Sequence, residues 1–485
     1  MNTQLRAFAL VTRYELKMLV AERLLPVVCG LLALMIGYAF FSGLSVTHVR
    51  DEAVVAALQK ERKTAAANLE SLRKVTAGTL TPGPFENPAN PAVIGNGSGR
   101  QAVLPSLALA PLAIGQSDMM PNAYRIGTQS KVEFMYDSEV ESPWTLLSGH
   151  FDLAFVIVFL LPLLVFALSY NLLSAEREAG TQRLLLSQPL SLGALVAGKL
   201  AARALPLLSV AALLPIALLL VFRPEARTAI PQLWVWAGLV AAYGGFWFAL
   251  ALAVNALRLS SATNALALIA AWTVLVLIVP VLVNLAAGAL SPAPSRTELA
   301  IRTRAAQADN LRRYDDLFSG DYRYIAEPES LLARDGRIEI PARTRASFLA
   351  RRDLDARIEG LLTSFDRQSQ AQQQVVDRLG FLSPAIVLYE GVTATAGVDT
   401  ARYTAFRGQV SAFHDRWRRH FQPRVLDGVA MDETALETLP RWTWAEPSPS
   451  RLASSAAGKI VLLAGLAMLI GLFGAWRLRR YAIAG

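Results

Sequence analysis

The chain has 485 residues, 53% of them hydrophobic and only 18% charged, with a mean hydropathy of +0.36, a balance too apolar for an ordinary soluble surface. Its net charge of +9 would suit nucleic acid, but no basic stretch is interleaved with aromatics and acids sit among most arginine clusters, so no nucleic-acid partner is expected. Cys29 is the only cysteine, which excludes an intrachain disulfide or a thiolate metal site.

In chain order, residues 1–23 read as an interfacial helix with Leu5, Phe8, Leu16 and Leu19 on one side and Arg6, Arg13 and Lys17 on another. An ordinary juxtamembrane anchor explains that pattern equally well. The charged start is too long for a signal peptide, and the apolar run after it lacks a small-residue cleavage site, so 24–41 is expected to stay as a first span. Uncharged runs of roughly 20 residues, the length that crosses a ~30 Å hydrocarbon core, place five more spans at 152–173, 205–222, 233–257, 262–287 and 460–476. Pro162, Pro215 and Pro280 fall inside spans and read as kinks.

Two long regions separate these spans, 42–151 and 288–459. In the first, 51–73 alternates apolar and charged residues at helical spacing, and Pro82, Pro84, Pro88 and Pro91 with Gly95, Gly97 and Gly99 then make an irregular connector. In the second, 296–318, 344–379 and 401–421 read as amphipathic helices, punctuated at Pro328 and Pro384. The expected fold class is an all-α polytopic membrane protein: six transmembrane helices and a mainly helical extracytoplasmic domain built from two insertions.

Orientation follows from the short flanks. Arg6, Arg13, Lys17 and Arg23, then Arg177, Arg183, Lys199 and Arg203, then Arg258, then Arg477, Arg479 and Arg480 all fall on one side, which is taken as cytoplasmic. Both termini, including the tail 477–485, are then inside. Arg223 and Arg227, in the loop between the third and fourth spans, run against this trend, with Glu225 between them.

The loop 174–204 carries acids at Glu176 and Glu178, a break at Gly180 and Thr181, and a short apolar run with Leu184 and Leu185 that stops at Pro189. Such a loop suits a small helix held against the membrane face as a lever; a loop that merely returns the chain, with charges for solvation, fits the spacing as well. The interfacial first helix, the stretch Ser174 to Thr181 and the Leu-rich segment ending at Ser187, Gln188 and Pro189 resemble the type-2 ABC permease family. The likeness is to bacterial members with a large extracytoplasmic insertion after the first span, a group that includes permeases similar to those of nitrous-oxide reductase maturation clusters. The stretch Gly115 to Asp118, and Leu147, Ser148 and Gly149 leading through Asp152 into the second span, resemble that group too.

The resemblance implies a non-enzymatic permease subunit of an exporter in a bacterial inner membrane, surrounded by lipid and paired with a second or paralogous permease. A separate ATP-binding subunit would carry ATP and Mg and dock on 174–204, leaving no cofactor in this chain. Glu176, Glu178, Gly180, Thr181, Leu184, Leu185 and Pro189 inherit the coupling role by position, and a periplasmic protein has room to act as a further partner. Polar residues within the spans, Tyr243, Trp247, Asn255, Asn264 and Asn284, are candidates for a translocation path, with helix-to-helix hydrogen bonding as the plainer role.

Other features carry less. Gly193 to Leu200 nearly spells a phosphate loop, but Leu200 stands where a magnesium-binding hydroxyl is required and no strand precedes it. His414 and His420 lie six apart, the wrong spacing for one helical face, and His48 and His150 lack a third ligand. Trp144, Trp234 and Trp236 read as interfacial anchors. The competing functions are a membrane-anchored scaffold or receptor, which needs no cytoplasmic docking surface, and a lipid enzyme, for which no catalytic constellation is visible.

Overall fold

The computed structural model describes residues 2–83, 86–136, 151–181, 191–292, 295–314, 328–447 and 449–479. Six helices are long and apolar enough to cross a membrane: Leu24–Thr76, Leu153–Glu178, Leu192–Phe222, Pro224–Asn255, Ser261–Leu290 and Ala456–Arg479. The protein is an all-α polytopic membrane protein. The two strands among the described residues, Arg100–Val103 and Ala123–Ile126, form one antiparallel pair with Arg100 opposite Ile126.

The first span does not stop at 41. A single 53-residue helix runs Leu24–Thr76, about 80 Å at 1.5 Å per residue. No proline interrupts residues 42–50, and the apolar face of the span passes directly into the amphipathic face expected at 51–73. Gly43 is small for a packing reason, since a Cβ there would run into the carbonyl of Pro111. The fourth span turns Trp234 outward, 66% exposed, and Trp236 inward, 1% exposed. Two residues along a helix are about 200° apart, so Trp236 is a core residue and not the interfacial anchor its position suggests.

Two of the span prolines, Pro162 and Pro280, follow π-helical turns, at Val156–Leu160 and Thr273–Ile278. Proline lacks the N–H that would bond the preceding turn. The Val158 carbonyl, four residues before Pro162, accepts instead from the Tyr243 hydroxyl at 2.7 Å. The Leu275 carbonyl, whose i+5 partner in a π register would be the missing N–H of Pro280, accepts from Ser383 Oγ at 2.6 Å. Pro215 lies within the continuous helix Leu192–Phe222.

Both insertions build one domain. Asn90 caps the short helix Pro91–Gly97 through the Ala92 N–H, with Pro91 at its first position. Beside it lie Arg296–Tyr314, Ala342–Leu379 and Thr400–Asp427, close to the expected boundaries; 315–318 fall outside the described residues. Ile94, Ile126 and Tyr124 of the first insertion share a core with Phe406, Phe413, Trp417 and Phe421 of the second. Trp417 Nε1 donates to Gly95 O at 2.8 Å, and Asp355 accepts from Ser130 Oγ at 2.5 Å while pairing with Arg418. His414 is buried in this contact, its Nε2 lying 2.7 Å from Gln129 O.

A further apolar helix, Pro384–Ala396, leaves this domain and packs among the spans, with Gly391 against Leu239 and the Glu390 carboxylate 3.0 Å from Lys459. The insertion domain therefore grips one end of the bundle. Residues 174–181 and 191–204 lie at the other. Replacing Tyr243 by Phe leaves the Val158 carbonyl without its donor and is expected to cost about 1–3 kcal/mol, read as a lower thermal midpoint in detergent; a Tyr243→Phe protein as stable as wild type contradicts the assignment.

Candidate functional site

The second span ends in a turn at 170–173 and a five-residue helix, Ser174–Glu178. Gly180, at φ +69°, ends that helix: its N–H donates to Arg177 O at 3.2 Å and the Thr181 N–H donates to Glu176 O at 2.9 Å. This pair of bonds is the Schellman closure, which needs a left-handed residue at the glycine position. Five residues are too few to hold a helix in isolation. Contacts from elsewhere in the chain fix it.

Each charged side chain of this helix reaches a different neighbour. Glu176 pairs with Lys199, which also donates to Leu172 O at 3.4 Å. Arg177 donates to Leu259 O at 2.5 Å, in the turn between the fourth and fifth spans. The Glu178 carboxylate accepts from the Ser261 N–H at 2.7 Å and its hydroxyl at 2.8 Å, at the start of the fifth span. Ser174 Oγ lies 2.7 Å from Ser261 Oγ.

One turn beyond Lys199, Arg203 pairs with Glu15 of the N-terminal helix Asn2–Ala21 at 2.7 Å. Glu15, Lys199 and Arg203 are all buried. With Glu176 they form two acids and two bases of zero formal charge joining three elements. Gly198 lets the N-terminal helix approach, since a Cβ there would stand 2.6 Å from Val11 Cγ1. The phosphate-loop look-alike is thus the opening of the helix Leu192–Phe222, capped by Ser191 through the Ala194 N–H, and its glycine serves helix packing.

Asn255 and Asn264 complete the cluster. Asn255 Nδ2 donates to Ser169 O at 3.0 Å and Ala251 O at 2.9 Å, while its Oδ1 accepts from the Leu173 N–H at 3.3 Å and from Asn264 Nδ2 at 3.2 Å. Asn264 Nδ2 also donates to Tyr170 O at 3.1 Å. Tyr243 and Trp247 are fully enclosed among Phe166, Phe246 and neighbouring spans. Asn284 is exposed on the fifth span, away from the other four.

Of the residues assigned to coupling, Glu176, Glu178, Gly180 and Thr181 come together at one end of the bundle, with Glu178, Gly180 and Thr181 exposed. Leu184, Leu185 and Pro189 lie outside the described residues. Glu15 escapes the sequence reading, although it stands in the otherwise uncharged stripe Phe8, Thr12, Leu19, where a lone acid is a signal. Lys199, Arg203 and Arg177 enter that reading without a part in the coupling site.

The model of a family described as ABC-2 family transporter protein matches residues 9–475. Neither the curated proteins nor the solved structures searched gave a match.

Two substitutions test the site. Arg203→Met strands the buried Glu15 carboxylate and is expected to cost about 3–5 kcal/mol, most of it recovered by the double variant Glu15→Leu with Arg203→Met. Equal thermal midpoints for the two proteins contradict the pairing. Gly180→Val forces a branched side chain into a left-handed conformation, at about 1–2 kcal/mol, and is expected to raise amide exchange across 174–181; unchanged exchange contradicts the closure.

Proposed function

The chain belongs to the ABC-2 transporter family, and from that premise we propose that it is the permease of an exporter, driven through the 174–204 loop by a separate ATPase. The coarser statement stands on the family alone: a multi-pass membrane permease component of an ABC transporter, not itself catalytic, whose family implies an ATP-binding partner subunit.

The observation that carries the finer reading is the clamping of Ser174–Glu178. A five-residue helix tied to Lys199, Leu259 and Ser261 cannot be displaced without displacing the third span, the turn between the fourth and fifth spans, and the fifth span itself. Beyond it, Ala179 to Thr181 are exposed. A push on that end by a docked subunit would be distributed to most of the bundle at once. A loop that only returned the chain would need none of these bonds.

In this reading the 174–204 side is cytoplasmic, the membrane is a bacterial inner membrane, and ATP and Mg reside in the partner. Arg223, the charge that runs against the orientation trend, pairs with Glu225 at 2.6 Å and Asp51 at 3.2 Å, which lowers its weight as an inward signal. The permease works with a second copy or a paralogue, and the insertion domain is extracytoplasmic, where it caps the exit or passes substrate to a periplasmic protein.

Pull-down of the tagged chain from its native host is expected to bring a stoichiometric ATP-binding subunit with ATPase activity. Ala179→Glu, at an exposed position that takes no part in the bonds to Lys199, Leu259 and Ser261, is expected to weaken that association while leaving the thermal midpoint of the permease alone nearly unchanged. A clean preparation without a nucleotide-binding subunit favours the scaffold or receptor reading.

A further inference from the structure

At the end of the second span farthest from Ser174–Glu178 stands Asp152, a carboxylate only 6% exposed. Its Oδ1 accepts from the Phe155 N–H at 2.8 Å and caps the helix that starts at Leu153. Its Oδ2 accepts from the Ile114 N–H at 2.8 Å and the Gly115 N–H at 3.4 Å. These donors belong to the first insertion, so one side chain joins the top of a span to a segment 37 residues or more earlier in the chain.

That segment is itself fixed to the insertion domain. Arg50, on the long first helix, donates to the carbonyls of Ser117 and Met120. Arg402, on the helix Thr400–Asp427, donates to Pro105 O at 2.8 Å while held by Glu446 at 2.6 Å. Gly115, at φ +60°, fits against Thr393 and Val398, where a side chain would crowd. Residues 105–120 therefore form a collar with the insertion domain on one side and the Asp152 carboxylate on the other. From Asp152 the span runs helically over residues 153–169, about 25 Å with a π-turn at Val156–Leu160, and joins Ser174–Glu178 through the turn at 170–173, whose Leu173 N–H is held by Asn255 Oδ1.

We propose that Asp152 is a positioning residue that makes the second span a push-rod, so that displacement of the Ser174–Glu178 end is delivered to the collar and through it to the insertion domain. This rests on the coupling role of 174–204 proposed above. The geometry allows a selective variant. In Asp152→Asn the amide oxygen still caps Phe155, but the amide nitrogen is a donor and cannot accept from Ile114 and Gly115. The helix cap survives and the collar is released. Asp152→Ser, which keeps a cap oxygen but is too short to reach the collar, is the second variant should the first not fold.

The experiment is hydrogen exchange by mass spectrometry on the full permease with its co-purified ATPase in nanodiscs, with and without ATP and vanadate. In wild type, peptides covering 105–120 and 174–181 both change with nucleotide. In Asp152→Asn or Asp152→Ser, the change at 174–181 persists and the change at 105–120 is lost. A 105–120 response equal to wild type in these variants overturns the proposal, as does a wild-type protein whose 174–181 responds and whose 105–120 does not. No response at 174–181 in wild type overturns the coupling reading, and the push-rod with it.

Discussion

Within hydrocarbon a backbone carbonyl has no water to turn to, and leaving one unbonded costs several kcal/mol. Pro162 and Pro280 each remove a donor from a span, and the structure answers both with a hydroxyl from another part of the chain. Tyr243 thereby ties the fourth span to the second. Ser383 ties the second insertion to the fifth span, which is why the helix that follows it can lie among the spans rather than over them. Asn255 does the same work at the loop end, where it takes the Ser169 carbonyl and the Leu173 N–H at the close of the second span. Tyr243 and Asn255, candidates in sequence for a transport pathway, make hydrogen bonds that join spans to one another.

Charge follows the same logic at the membrane face. Burying Glu15, Lys199 and Arg203 is tolerable because each has an opposite partner within reach, and Glu176 balances the count. Such an array adds little net stability over an apolar substitute, but breaking one pair leaves an uncompensated charge. The arrangement therefore holds the N-terminal helix, the third span and Ser174–Glu178 in one relative position. A part that receives a push from a docked subunit has to be stiff toward the elements it moves. At the far end of the second span Asp152 holds backbone N–H groups, with no cation bonded to it among the described residues.

The spans are legible in the sequence because uncharged runs of membrane length rarely arise in a chain that stays in water, and all six appear. The break expected after Phe41 is absent, because nothing in 42–50 stops a helix; the loss of apolarity there marks the exit from hydrocarbon and not the end of the element. The helix Pro384–Ala396 reads in sequence only as punctuation at Ser383 and Pro384, although those two residues are its cap and first turn. At thirteen residues it is too short to register as a span. In the site, the glycine break at Gly180 is visible locally, since the closure it makes involves residues within five positions. The partners of Glu176 and Glu178 are not, because Lys199 and Ser261 are brought in by tertiary packing that residue spacing does not encode.

The proposed coupling role places the engagement of an ATP-binding subunit at the exposed end of Ser174–Glu178. The most direct measurement is site-specific photo-crosslinking in native membranes, with a photoreactive residue at Ala179, exposed beside Glu178, and a control at Thr404, exposed on the insertion domain. The expected result is covalent capture of an ATP-binding subunit from position 179, sensitive to nucleotide, and none from 404. Capture from 404 alone, or an ATP-binding subunit that co-purifies yet never crosslinks at 179, contradicts the coupling role.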